Sequence, residues 1–176
     1  MEPEVALSEL PKCCDWGIKK DTDGHPYRWR GYKANLSWAD GMIPLICVTT
    51  AASMHDSQCV IPMMKKVSKR VRILYDLMDT AYDAPSIRSV SASLGHVALI
   101  EKHPRGGEKV DFSPAEGVRY RERSNAERGN SRLKDSFGLR VIYVRGHAKV
   151  HLHVMFGVLA LFADQLLKPF GHQTDS

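Results

Sequence analysis

The sequence predicts an α/β fold, a mixed sheet with helices packed on its faces. Three observations carry that expectation. Residues 29–50 hold two apolar stretches with strand character, separated by a turn signal. After residue 56, segments with helical spacing alternate with short apolar runs. The chain has 176 residues, 43% hydrophobic and 26% charged, which suits one domain with a real core. Strands that come first as a meander and then alternate with helices imply both antiparallel and parallel pairing.

Taken in order, residues 1–28 read as an irregular segment, punctuated by Pro3, Pro11, Gly17, Gly24 and Pro26. Asp15, Asp21 and Asp23 sit in turn-like sequence there. A domain is then expected over 29–170. Its first strand is Trp29–Trp38, where Tyr32, Ala34, Leu36 and Trp38 recur at period two. Asp40-Gly41 is a hairpin signal, and Ile43–Thr50 is the β-branched partner strand. A helix follows, capped by Asp56 or Ser57, with Val60, Met63, Met64 and Val67 on one face and Lys65, Lys66, Lys69 and Arg70 mostly off it. Val71–Met78 reads as an interior strand ending at Asp79. Ala84–Leu94 is a weaker helix closed by Gly95, and His96–Ile100 a short strand. Residues 103–118 read as a loop. A long helix is expected from Arg119 to Phe137, ended by Gly138, and Leu139–Val144 as a short extended piece. The last helix runs from Lys149 to Leu167 and is stopped by Pro169.

Composition narrows the classes. The formal charge of +5 mildly favours a polyanionic partner. Cys13, Cys14, Cys47 and Cys59 form no C-x-x-C pair, so reduced thiols and a cytoplasmic location are the simplest reading. Glu2, Glu4 and Glu9 interrupt any leader-like apolar run. Val154–Leu167 is too short and too polar to suggest a membrane partner. His147, His151 and His153 lack an acidic or cysteine partner nearby, which argues against zinc.

Two constellations could carry chemistry. Asp79 ends an apolar strand, where ligands of open α/β sheets bind. Burying a carboxylate there is costly unless it is paired or holds a metal. A turn-initiating aspartate fits the same spacing, and spacing alone favours it. The second constellation is Tyr120, Arg123, Glu127 and Lys134, at separations of three, four and seven. On one helix those separations share a face. They describe either a surface ladder of ion pairs, which composition alone favours, or a metal-binding glutamate flanked by phosphate-holding cations. Two-metal phosphodiester chemistry needs acidic ligands of this kind.

The same residues resemble a known family. Tyr120, Arg123, Glu127 and Lys134 fit, in all their gaps, the Y-x2-R-x3-E-x6-K signature of DDE-superfamily insertion-sequence transposases. Glu127 to Gly138, Leu77 to Asp83, Trp29 to Lys33, Gly41 to Leu45 and Ala51 to Ser57 are also similar to segments of that family. The resemblance spans roughly residues 12–167. It implies an RNase H-like mixed sheet flanked by helices, Mg²⁺ (or Mn²⁺), and transposon-end and target DNA as partners, with a homo-oligomer left open. It assigns Asp79 and Glu127 as catalytic metal ligands and Tyr120, Arg123 and Lys134 as DNA contacts. Lys33 and Arg145 are weaker DNA candidates. The family's first aspartate lies on a strand upstream of Gly31-Tyr-Lys33, and no counterpart is identifiable here. The chain is therefore expected to be truncated at its amino terminus, without its first strand, and incomplete or inactive as a DNA-cleaving and strand-transferring enzyme. A non-catalytic DNA-binding or transposase-binding remnant and an RNase H-like nuclease are the alternative expectations.

Overall fold

Among the described residues, eleven helices and strands follow one another: α1 (Pro3–Ser8), β1 (Asp15–Lys20), β2 (Pro26–Ala39), β3 (Ile43–Ala51), α2 (Ser57–Ser68), β4 (Tyr75–Met78), α3 (Pro85–Ser93), β5 (Val97–Ile100), α4 (Pro114–Tyr120), α5 (Ser124–Asp135) and α6 (His147–Gly171). Tight 3-10 turns occupy Asp40–Met42, Thr80–Tyr82 and Arg121–Arg123. This computed structural model describes residues 2–20, 23–102 and 112–171, with side chains as far as Lys168. Antiparallel and parallel pairing both occur, flanked by helices, so the α/β expectation holds and is consistent with an RNase H-like domain. The pairing is divided between two sheets, of order β1-β2-β3 and β4-β5. The residues fall into two compact units: Met1–Glu9 with His55–Ser124, and Leu10–Met54 with Asn125–Ser176.

In the first unit, β4 and β5 run parallel with Tyr75 opposite Val97 and Met78 opposite Ile100. Helix α2 buries Met63, Met64 and Val67, the face its spacing predicts. Met64, Ile87 of α3 and Ile100 of β5 form the core cluster, with Val60, Met78 and Tyr82 packed against it. Helix α3 ends where Gly95 takes a positive φ of 77°, as a left-handed cap requires. The strand expected over Val71–Met78 is paired only from Tyr75, and Val71 and Leu74 are exposed. Among the described residues β4 pairs only with β5, so the interior position expected for it is corrected.

In the second unit, β2 is the middle strand. Its first half pairs with β1, from Asp15 opposite Gly31 to Lys20 opposite Pro26. Its second half pairs with β3, with a bulge between Ser37 and Trp38. The hairpin predicted at Asp40-Gly41 forms with positive φ at Gly41 and at Met42. Tyr32, Leu36 and Trp38 of β2 share the face that packs on the core. Helix α6 supplies Val150, Val154, Val158 and Leu161, four, four and three residues apart, and α5 adds Leu133. Burying each such side chain contributes about 1.5–3 kcal/mol. Leu152, Phe156 and Leu159, on another face of α6, are exposed.

Several boundaries differ from the expected ones. Residues 1–28 are not irregular throughout, because α1 and β1 lie within them. Asp15 begins a strand rather than a turn. The apolar faces are too short to stand out: among the residues of β1 only Gly17 is buried. Leu139–Val144 forms no strand, and Val141 and Tyr143 are exposed. Helix α6 continues past Pro169 to Gly171. Over His147–Lys168 it is long and apolar enough to cross a membrane by length and composition, although a core helix passes the same test. Much of the loop expected at 103–118 lies outside the described residues, as do Asp21 and Thr22; the rest of it, from Pro114, begins α4.

Candidate functional site

The site residues come from two elements, the end of β4 and the helical stretch 114–135. Tyr75, Leu77 and Met78 carry the chain into Asp79 at the carboxyl end of β4. Asp79 Oδ1 accepts the Ala81 N–H at 2.9 Å, which starts the turn Thr80–Tyr82. The turn-initiating role that spacing favoured is therefore real. It occupies one carboxylate oxygen and leaves Oδ2 without a hydrogen bond among the described residues. The next segment is fixed by Arg88, which donates to Asp83 at 2.8 Å and 3.0 Å and to the Ile100 carbonyl at 3.0 Å.

Helix α4 starts earlier than expected, at Pro114. Ser113 accepts from the Glu116 N–H, and the Glu116 carboxylate accepts from the Ser113 N–H at 2.9 Å, a reciprocal capping box. The Ser113-Pro-Ala-Glu116 pattern carried that signal in the sequence. Tyr120 closes α4, Arg123 closes the tight turn at Arg121–Arg123, and α5 begins only at Ser124. The four signature residues thus do not lie on one uninterrupted α-helix.

Tyr120 ties this stretch to the strand end. Its hydroxyl donates to the Met78 carbonyl at 3.0 Å, one residue before Asp79. Its ring packs against Phe112, with centroids 4.7 Å apart, and the Arg123 guanidinium lies 5.7 Å from its centroid. Burial raises the Tyr120 pKa, Arg123 opposes the rise, and Glu101 and Asp79 add to it. The phenol therefore stays protonated and keeps donating. Tyr82 is also pushed upward by burial, with further contributions from Asp56, Cys59 and Asp79.

Glu101, to which the sequence reading gives no role, stands just past the end of β5. Met78 pairs with Ile100, so Asp79 and Glu101 are the next residues on adjacent parallel strands. Both reach Tyr120 electrostatically. The shared position just past two apolar strands was the available signal.

Asp79, Tyr120 and Arg123 belong to the first unit, whereas Glu127 and Lys134 belong to the second. Helix α5 buries Asn125, Gly129 and Leu133 and leaves Glu127 and Lys134 exposed, seven residues apart on the opposite side. Gly129 is required by close packing: a Cβ there would lie 2.7 Å from the Trp38 ring. Lys33 donates to the Met54 carbonyl at 2.8 Å and serves the fold, while Arg145 is exposed. The histidines of α6 also pin it in place. His147 Nε2 donates to the Thr49 carbonyl at 2.9 Å, His151 Nδ1 meets Thr49 Oγ1 at 3.0 Å, and His153 Nε2 donates to the Gly138 carbonyl at 3.0 Å. Asp15 is held by the Ser53 hydroxyl and by its N–H at 3.0 Å, which lowers its pKa. Among the described residues no group of three His, Cys, Asp or Glu side chains is placed to hold a metal ion.

Comparison with curated proteins and with solved structures returns no match. Residues 8–163 match a family model described as a transposase DDE domain. With all but the two ends of the chain covered by that match, the protein belongs to the transposase DDE domain family.

Proposed function

We propose that this chain acts in metal-dependent DNA strand cleavage and transfer at transposon ends, with Asp79 and Glu127 as two carboxylate ligands of a divalent metal site. DNA is the partner that family membership implies. The observation that carries the reading is the Tyr120–Met78 hydrogen bond, which joins the first signature residue to the backbone beside Asp79. The donor chemistry fits: both ligands offer carboxylate oxygens, which suit Mg²⁺ or Mn²⁺, and Asp79 Oδ2 has no competing hydrogen bond among the described residues. Two carboxylates make only part of a two-metal ligand set. When bound, such ions activate the attacking oxygen and stabilise the leaving one. Tyr120 holds the end of β4, Arg123 offers a planar fork to a phosphate, and Lys134 offers a point charge.

A Mn²⁺ titration of the whole chain tests the ligands. Asp79→Asn and Glu127→Gln each should weaken binding, and equal binding by Asp79→Asn rejects its assignment. Arg123→Ala should lower the salt dependence of duplex binding by about one contact's worth.

A second reading is a non-catalytic remnant that binds DNA or a complete transposase. It needs only the cations of the signature, Arg123 and Lys134, and no metal ligand. Duplex binding by the wild-type chain with no Mn²⁺ binding would select this reading.

A further inference from the structure

The first unit carries a basic groove that the carboxylate site does not use. From Ser57 to Tyr75 the sequence holds Lys65, Lys66, Lys69, Arg70 and Arg72 and no acidic residue. The last turn of a helix favours cations, which accounts for Lys65 and Lys66 without any ligand. It does not account for Arg72, which lies four residues beyond the last residue of the helix; Arg70 stands in the turn just after the helix, its N–H donating to the Val67 carbonyl at 2.9 Å. Lys69, Arg70 and Arg72 line a cavity of about 380 Å³ together with Ser68, Leu94 and His96. Lys69 is engaged by Glu2, just before α1, at 2.6 Å and by Glu4 of α1 at 3.7 Å. Arg70 and Arg72 are exposed and have no ion-pair partner among the described residues. His96 is committed elsewhere, to Asp76 through Nδ1 at 3.0 Å and to Ser68 through Nε2 at 3.2 Å, so it forms a fixed wall and is no free donor.

The groove stands at the entry to β4 and β5, whereas Asp79 follows the exit of β4. Four strand residues, at about 3.3 Å each, separate the two ends by at least ~13 Å. That distance corresponds to about four base-pair steps of a duplex. Guanidinium forks match phosphate oxygens and carry no sequence preference.

We propose that this groove is a second phosphodiester contact for duplex DNA, made by Arg70 and Arg72, with Lys69 partly neutralised by the acidic α1. The inference rests on the reading that the chain binds DNA, and it extends that reading to a separate surface. The test uses the whole chain and a duplex oligonucleotide of arbitrary sequence, with affinity measured across a salt series. Arg70→Gln with Arg72→Gln should lower the slope of log affinity against log salt by about 1.8, from about 0.9 per phosphate contact. The loss should be equal for unrelated sequences. Arg70→Lys with Arg72→Lys should retain the slope, and the thermal midpoint should not move in either variant. Glu2→Gln with Glu4→Gln should tighten binding by releasing Lys69. An unchanged slope in the double glutamine variant overturns the groove. If Arg123→Ala still lowers the slope in that case, the proposed function survives and only the groove is rejected. A wild-type chain that binds no duplex overturns both.

Discussion

Asp76 and Asp79 stand three residues apart at β4 and its exit, and their surroundings give them opposite tasks. Asp76 is buried, and its Oδ2 accepts from Ser91 Oγ at 2.6 Å and from His96 Nδ1 at 3.0 Å. Those bonds join β4 to the end of α3 and to the residue before β5. The order Ser68–His96–Asp76 matches that of a nucleophile triad. Ser68 Oγ, however, donates to the Met64 carbonyl at 2.8 Å, so its proton is committed to the helix backbone. The network is therefore structural. Asp76→Ala should destabilise the chain by about 1–3 kcal/mol for each donor left buried without a partner. Urea unfolding measures this, and a midpoint like that of the wild type would mean that the network contributes nothing. Asp79 lies at the partly open end of the strand with one oxygen uncommitted, so Asp79→Asn should barely change the same midpoint while acting on metal binding.

At the level of elements, α5 is positioned by a missing side chain. Gly129 lets the helix lie against the Trp38 ring, where a Cβ would approach to 2.7 Å. An indole cannot fold aside as a flexible chain end can. Gly129→Ala should gain helix propensity worth about 1 kcal/mol but meet overpacking of about 1–3 kcal/mol, giving a neutral to destabilised chain. A rise in the thermal midpoint would show that Trp38 gives way easily. That packing lay outside the reach of sequence reading, because no local pattern pairs residue 129 with residue 38. Local patterns were legible wherever the structure uses them locally. The spacing of Met63, Met64 and Val67 gave α2, and the alternation from Tyr32 to Trp38 gave the core face of β2. Strand β1 was illegible because it buries almost nothing and is held by backbone pairing with β2. The break at Arg121–Arg123 was missed because the signature spacing is also that of a continuous helix. Asp79 was legible as a residue with two roles, and only the turn role has a visible hydrogen bond.

For the molecule as a whole, the titratable groups predict a stability maximum bounded on both sides. His151 has its pKa lowered from 6.5, first by burial and then by His147 and Lys12. A lowered histidine pKa means that the unfolded chain takes up a proton before the native one does. Stability then falls as pH drops below 6.5, because the unfolded state binds more protons there. The carboxylates of Asp15, Asp135 and Asp164 are also lowered, chiefly by Ser53, Arg140 and Arg132 respectively, and they extend the acid limb below their ordinary 3.8. On the alkaline side, burial pushes the Cys47 thiol from 9.0 up to about 12. A raised thiol pKa stabilises fully below 9.0 and is lost as the unfolded chain ionises above it. Urea midpoints should therefore be highest between pH 6.5 and 9.0 and lower at either side. His151→Gln should flatten the upper part of the acid limb without altering the alkaline one. Cys47→Ala should do the reverse, at the cost of a lower midpoint throughout from the cavity it leaves. If His151→Gln leaves the slope between pH 5 and 6.5 unchanged, the proton uptake on that limb belongs to other groups and the role given to His151 is wrong.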